Sequence, residues 1–462
     1  MVPQEQPERI PYRLLVTRRR ATEILLKTGS VCSLPSLAVL GGGRLAEQFA
    51  AGIRENYGLE TYCLWTTGNP MVHEACCALI ETIHRDDEAP AGMTWMPIGA
   101  ADFDAVLLSA DRAVVRSSLG QLNRHSDNPE SGPFARPGWI ESLFTWVDQQ
   151  IRPLGLGYAG RFQQLNASPT FSLIRIETTG PAVWFKATGE PHAHEPRVSV
   201  ALARLLPNYV PRLIGVHPSW NGWLSEEAAG ARLDQSVDFP AWERAAARLA
   251  ELQIASIGKT AELMRERAKD LQIESLHKEV DPFLSRMSHL MAAQEKSIPR
   301  PLVESEFATL AKKLNESCAL LRRIGLPATL GHIDMNPGNI VVSENGCVFL
   351  DWAEAAVTHP FVTFEYLREH LLRSGIEKPT AGESLARAYL RPWESFYSPD
   401  ELACALLFSP LIAVFVFAVA NESWRSSDLD RCSKLPGYFR ALTRRMYRQA
   451  VRLSERSELC RQ

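Results

Sequence analysis

The chain has 462 residues, 45% of them apolar and 22% charged, and a formal net charge of −3 at pH 7. These proportions are those of a soluble globular protein, and the slightly acidic balance removes any global electrostatic case for nucleic-acid binding, leaving only a local basic patch open. The length exceeds what one core organises, so two or three domains are expected, and the scattered cysteines, with only Cys76 and Cys77 adjacent, lack the spacings of zinc or redox motifs and read as reduced thiols.

The N-terminal stretch MVPQEQPERIPYRLL has no positive flank leading into an apolar run, so it does not read as a secretory signal and a cytoplasmic location is expected. Tyr12–Arg18 reads as a strand, Arg44–Tyr57 as a helix ending at Gly58, and Leu59–Thr66 as a second strand. His73–Ile83 is apolar enough to be buried, but its period does not decide between strand and helix. Trp139–Ile151 reads as a helix started by Pro137–Gly138, and RPLGLGYAG marks a boundary or linker near 152–160. Within this region Gly41–Leu59, GGGRLAEQFAAGIRENYGL, faintly resembles the Nudix box, and HEACCALIETI and GMTWMPIGAADF suit the same fold. The glutamate-rich core of that box is shortened to RENYGL, which removes the paired metal-binding glutamates. Residues 1–155 are therefore expected to form an α/β Nudix-like accessory domain without Nudix chemistry, or a plain α/β domain.

From Phe162 the pattern turns to strands: Phe171–Glu177, a turn at Thr179–Pro181, and Ala182–Ala187. A helix over Arg197–Leu206 stops at Pro207, and Arg212–Val216 and Gly222–Ser225 add extended pieces. Ala241–Arg323 reads as mostly helical. Leu402–Ala420 is apolar except for Ser409, long enough to reach across a bilayer, but its setting in a charged region and its Ser409–Pro410 interruption favour a buried core helix.

The stretch GHIDMNPGNIVVSENGCVFLDW, residues 331–352, concentrates the chemistry. Asn336–Pro337–Gly338 is a turn signal, Asn339–Ser343 a strand, Glu344–Gly346 a hairpin turn and Cys347–Leu350 the returning strand. Such a hairpin brings Asn339 near Asp351, with Asp334 on the loop that feeds it. Two carboxylates and an amide are hard oxygen donors suited to Mg²⁺, which takes few carboxylates and leaves room for phosphate oxygens, so the set points to phosphoryl transfer.

The pattern H-x-D-x-x-x-x-N followed by D-W resembles the catalytic and metal motifs of the aminoglycoside phosphotransferase and choline kinase-like enzymes. The resemblance implies an α+β, bilobal protein-kinase-like fold, a small antiparallel sheet lobe over 160–228 and a large helical lobe over 229–462. It implies ATP and Mg²⁺ as cofactors and a small-molecule hydroxyl as acceptor, with neither nucleic acid nor membrane as partner. Asp334 takes the place of the catalytic base, and Asn339 and Asp351 those of the metal ligands. Lys186, in VWFKA, resembles the strand lysine that holds the phosphates, and Glu195 its ion-pair partner. Trp223–Glu226, including Ser225, resembles the hinge whose backbone meets the adenine edge. Two features depart from the family: Ile333 stands where glycine is usual, and no G-x-G-x-x-G loop precedes Lys186. In that loop's place the N–H groups of Asn166–Ser168 and the Ser168 hydroxyl are expected to face the phosphates. The departures also keep open a second class, a pseudokinase or regulatory binding module. His332 is expected to be structural, and Glu354 a solvated or capping residue or a holder of a substrate cation.

Overall fold

The computed structural model describes residues 9–41, 43–67, 76–100, 103–128, 132–236, 238–344, 346–376, 380–429, 432 and 434–459. Gly42, His73–Ala75 and Asn345, which belong to stretches singled out above, lie outside the described residues. Two units are formed, residues 1–196 with 212–227, and residues 197–211 with 228–462.

In the first unit, β1 (Arg9–Arg18), β2 (Glu23–Lys27), β3 (Ser36–Leu40), α1 (Leu45–Tyr57), β4 (Thr61–Thr67), β5 (Cys77–Thr82) and β6 (Met93–Pro97) build a six-stranded mixed sheet. β1 pairs in parallel with β5 and antiparallel with β2 and β3. Side chains alternate across a strand, so Leu14 and Val16 pack with Phe49 and Ile53 of α1, while Leu15 packs with Tyr62 and Leu79 in another cluster. β5 is buried along its whole length. A strand covered on both faces reads as a continuous apolar run, which is why the period of His73–Ile83 does not reveal its type.

α2 (Phe103–Val106), α3 (Ser109–Asp127) and α4 (Trp139–Ile151) follow, then β7 (Tyr158–Ala167), β8 (Ser172–Thr178), β9 (Val183–Ala187), α5 (Glu195–Leu205), which belongs to the second unit from Arg197 on, β10 (Leu213–Val216) and β11 (Gly222–Glu226). The last five strands form an antiparallel sheet ordered β10-β11-β9-β8-β7. The stretch 152–160 is a turn of 3₁₀-helix, Arg152–Leu154, three connecting residues and the start of β7 at Tyr158. Leu143, Val147 and Ile151 of α4 share one core with Ile174, Phe185 and Leu224 of the five-stranded sheet and Leu64 and Leu79 of the six-stranded sheet. The buried Gln164 of β7 adds a polar tie: its Oε1 accepts from Cys63 N–H at 2.8 Å and its Nε2 donates to Cys63 O at 3.0 Å. β4 has a register shift between Cys63 and Trp65, and the Gln164 carboxamide supplies the backbone partners there.

The second unit contains β12 (Ala231–Arg232), α6 (Phe239–Ser256), α7 (Thr260–Arg265), β13 (Lys269–Leu271), α8 (Ile273–Ala292), α9 (Glu304–Ile324), β14 (Thr329–His332), β15 (Ile340–Ser343), β16 (Gly346–Phe349), β17 (Ala355–Thr358), α10 (Pro360–Arg373), α11 (Ala381–Leu390), α12 (Pro399–Ala420) and α13 (Leu435–Leu459). Two small sheets, β12-β15-β16 and β13-β17-β14, lie among the helices. β13 interrupts a region expected to be helical, because three residues between α7 and α8 pair with β17. Among the described residues α12 is the one helix long and apolar enough to cross a membrane. It is a core helix of this unit: Leu411, Ile412, Phe415 and Val416 are buried in the main cluster. Ser409, the polar interruption of the run, donates to Glu365 Oε1 of α10 at 2.7 Å.

Candidate active site

The Gly331–Trp352 stretch folds as a strand, a loop and a hairpin. β14 pairs antiparallel with β17, His332 opposite Ala355. Gly331 permits that approach, since an added Cβ would come to 2.5 Å from Thr358 Cγ2. The chain then leaves the sheet: Ile333 N–H donates to Glu354 O at 3.0 Å, and Ile333 and Met335 are buried while Asp334 between them is exposed. The Ile333 side chain points into the core cluster, so the departure from glycine is absorbed by packing. The loop after Asp334 is held by its own polar groups. Asp334 O accepts from Asn336 N–H at 2.8 Å and from Asn339 Nδ2 at 3.1 Å, and Asn336 Oδ1 accepts from Gly338 N–H at 2.9 Å.

β15 and β16 pair with Ile340 opposite Phe349, and one step further Leu350 N–H donates to Asn339 O at 2.8 Å. Asp351 follows, exposed and with φ 60° and ψ 65°, a left-handed conformation that Asp tolerates better than most residues. The hairpin therefore brings Asn339 next to Asp351 across its open end. The Asn339 amide nitrogen is on the Asp334 carbonyl, and the Asn339 Oδ1 and the Asp351 carboxylate are oxygen donors of the type Mg²⁺ takes together with phosphate oxygens. Among the described residues no three His, Cys, Asp or Glu side chains group as a metal site.

His332 joins these parts. Fully buried, it donates through its backbone N–H to Thr363 Oγ1 at 3.0 Å, its Nε2 lies 3.0 Å from Leu350 O, and its ring centroid sits 4.9 Å from that of Trp352. The expected structural role of His332 is thus specific: it fixes the backbone just before Asp351.

In the first unit, Lys186 Nζ lies 2.6 Å from Glu195 Oε1, with the lysine side chain 14% and the glutamate 1% exposed. Trp223 sits opposite Lys186 in the ladder, its ring centroid 5.7 Å from Nζ. The residues expected at the hinge, Trp223 and Ser225, are strand residues. Both lie inside β11, which pairs with β9 on one side and β10 on the other, so the ladder takes their backbone groups. Ser168 also differs from expectation. Its N–H donates to Phe171 O at 2.9 Å and its Oγ accepts from Phe171 N–H at 3.0 Å, while Asn166 and Ala167 are paired with Leu173 and Ser172. These groups close a hairpin turn; β7 is an edge strand of its sheet, so of the consecutive residues Asn166 and Ala167 one directs its N–H away from β8.

Sequence reasoning missed three features of the second unit, one of them in the field of Asp334. His370 of α10 lies in its field: burial and Arg373 hold the imidazole below its usual pKa, while the Asp334 charge pulls the other way. Glu354 is ion-paired with Lys269 of β13, Nζ to Oε2 2.6 Å. Glu369 of α10 is paired with Arg445 of α13. These contacts join residues distant in sequence, and no local pattern encodes them.

The chain matches no curated protein. Residues 193–396 match the phosphotransferase enzyme family. Among solved structures, similarity extends to a choline/ethanolamine kinase family protein from Mesorhizobium loti, at 15% identity over 67% of this chain and 94% of that one, with a TM-score of 0.44. A choline kinase from Cryptosporidium parvum matches at 14% identity over 69% and 96%, with a TM-score of 0.46. A macrolide 2′-phosphotransferase from Brachybacterium faecium matches at 14% identity over 65% and 97%, with a TM-score of 0.42.

Proposed function

We propose, from the match of residues 193–396 to the phosphotransferase enzyme family, that the chain moves the γ-phosphate of ATP to a hydroxyl of a small molecule. The observation that carries this reading is the linkage of Asp334, Asn339 and Asp351 through the Asn339 amide and the Leu350 N–H. Asp334, exposed at the loop, orients the acceptor hydroxyl and takes its proton on a carboxylate oxygen as the phosphoryl group is transferred. Asn339 Oδ1 and the Asp351 carboxylate would hold Mg²⁺, which when bound supplies charge neutralisation for the nucleotide phosphates. Lys186, kept in place by Glu195, donates to phosphate oxygens. With α12 serving as a core helix, the enzyme is read as a soluble one.

The closed Ser168 turn favours one competing reading, a nucleotide-binding module without turnover. Isothermal titration of ATP with and without Mg²⁺ tests the proposal, together with the Asp351→Asn variant. Magnesium-dependent binding that weakens at least about tenfold in the variant is expected, since a charged ligand is lost. ATP binding that ignores both Mg²⁺ and Asp351 would overturn the metal assignment. Tight MgATP binding with no phosphate transfer to any hydroxyl compound would favour the binding module.

A further inference from the structure

We infer that the solvent face of α13, with the segment 294–303 seated beside it, is a docking surface for an anionic lipid bilayer. The inference goes beyond the phosphotransfer reading and does not rest on it. α13 carries Arg440, Arg444, Arg445, Arg448 and Arg452, and its first acid is Glu455. Residues four apart are neighbours on a helix surface, so Arg440, Arg444, Arg448 and Arg452 form one row, with Arg448 and Arg452 exposed. Arg445, beside the row, is paired with Glu369. Among the described residues none of the four arginines of the row has a carboxylate partner. Like charges at this spacing repel, and partial burial together with Arg440 and Arg448 holds the Arg444 guanidinium below its usual pKa.

Two members of the row hold the neighbouring chain in place. Arg440 Nη1 donates to Leu290 O at 3.2 Å near the end of α8, and Arg444 donates to Pro299 O at 3.0 Å and Arg300 O at 2.9 Å. The segment fixed in this way bears Ile298, 84% exposed, and Val303, 53% exposed, with Lys296 also in solvent. Glu306 is already paired with Arg300, and the exposed Glu295 and Glu304 are outnumbered by the row and Lys296. A row of arginines with an aliphatic side chain at its edge fits a surface that offers phosphates and a hydrocarbon boundary together. Nucleic acid rewards the arginines through its phosphates but gives Ile298 no such boundary to enter. The opposite face of α13 is buried through Phe439, Leu442, Met446 and Leu453, so the helix stays at the bilayer surface and its binding is peripheral and salt-sensitive. The sequence resemblance implies no membrane partner; the charge on this face argues for one of this reversible kind.

The test is cosedimentation of the full-length protein with vesicles of phosphatidylcholine alone and of equimolar phosphatidylcholine and phosphatidylglycerol. Binding to the anionic vesicles only, lost as salt is added, is expected. The double variant Arg448→Gln, Arg452→Gln should bind at least about tenfold more weakly, and Ile298→Ser about threefold more weakly. These positions are exposed, so circular dichroism and thermal melting of the variants are expected to match the wild type. The same charge loss taken from Arg54 and Arg152 of the first unit, which are paired with Glu60 and Asp148, should change affinity less than about twofold. Absence of binding to anionic vesicles, or equal weakening by the two double variants, overturns the inference. So does tighter binding to single-stranded RNA that depends on Arg448 and Arg452 and ignores Ile298, which would give the face to nucleic acid. Phosphate transfer plays no part in these readouts, so failure here and failure of the phosphotransfer reading are separate results.

Discussion

His332 illustrates how one buried side chain can couple two functional positions without touching substrate. Its Nε2 lies on Leu350 O, and Asp351 adopts its left-handed conformation one residue later. Replacing His332 by Ala removes that bond and opens a cavity, so a loss of about 2–4 kcal/mol in chemical denaturation is expected, accompanied by weaker Mg²⁺ dependence of ATP binding. A second buried imidazole gives a pH prediction. His359 caps α10 by accepting from Phe361 N–H at 3.3 Å, and burial lowers its pKa from 6.5 to about 3. The unfolded chain then binds a proton that the folded one refuses, so this contribution is complete above pH 6.5 and is lost as pH falls toward 3. His359→Asn, which keeps a capping acceptor, should flatten the acid limb of the unfolding midpoint across that range. At this scale the sequence is informative about identity and poor about partnership. The proposed site residues Asp334, Asn339 and Asp351 are singled out by residue type and spacing, whereas the partner of Glu354, which no local pattern announces, is Lys269 of β13.

At the scale of elements, the β7–β8 hairpin shows where local reading reaches its limit. The strands were legible from alternation, but whether their turn is open or closed depends on what packs against it. Gly132, at φ 70° and ψ 164°, would place an added Cβ 2.5 Å from Pro169 O in that turn. Gly132→Ala should therefore cost about 1–3 kcal/mol and weaken ATP binding, because the turn must move; a variant with wild-type stability and affinity would contradict this packing. Gln164 makes a parallel case in β7. Gln164→Leu leaves the N–H and C=O of Cys63 without their partners, and a loss of about 1–3 kcal/mol is expected by denaturant titration. The WLSE segment meets the same limit. WLSE is extended as expected, but strands on both of its sides are a property of the sheet and not of the tetrapeptide.

For the molecule as a whole, the Pro- and Gly-bearing stretch 152–160 reads as a boundary or linker by composition, and residues on both sides of it, from α4 to Phe185 and Leu224, share one core of the first unit. A fragment beginning at residue 156 loses the cover of that face and is expected to be insoluble, whereas independent folding of the fragment would show the two sheets to be separable. The family match over 193–396 and the hairpin at Asn339–Asp351 together make phosphoryl transfer the account's central claim, with Asp334 as the group that takes the acceptor's proton. The most direct test is the rate of phosphate transfer by Asp334→Asn, with the circular-dichroism spectrum and the MgATP dissociation constant measured on the same sample. A fall in kcat of about 10²–10⁴-fold, with fold and MgATP affinity unchanged, is predicted. Retention of wild-type turnover, or a loss of activity that comes only with loss of the fold, would contradict it.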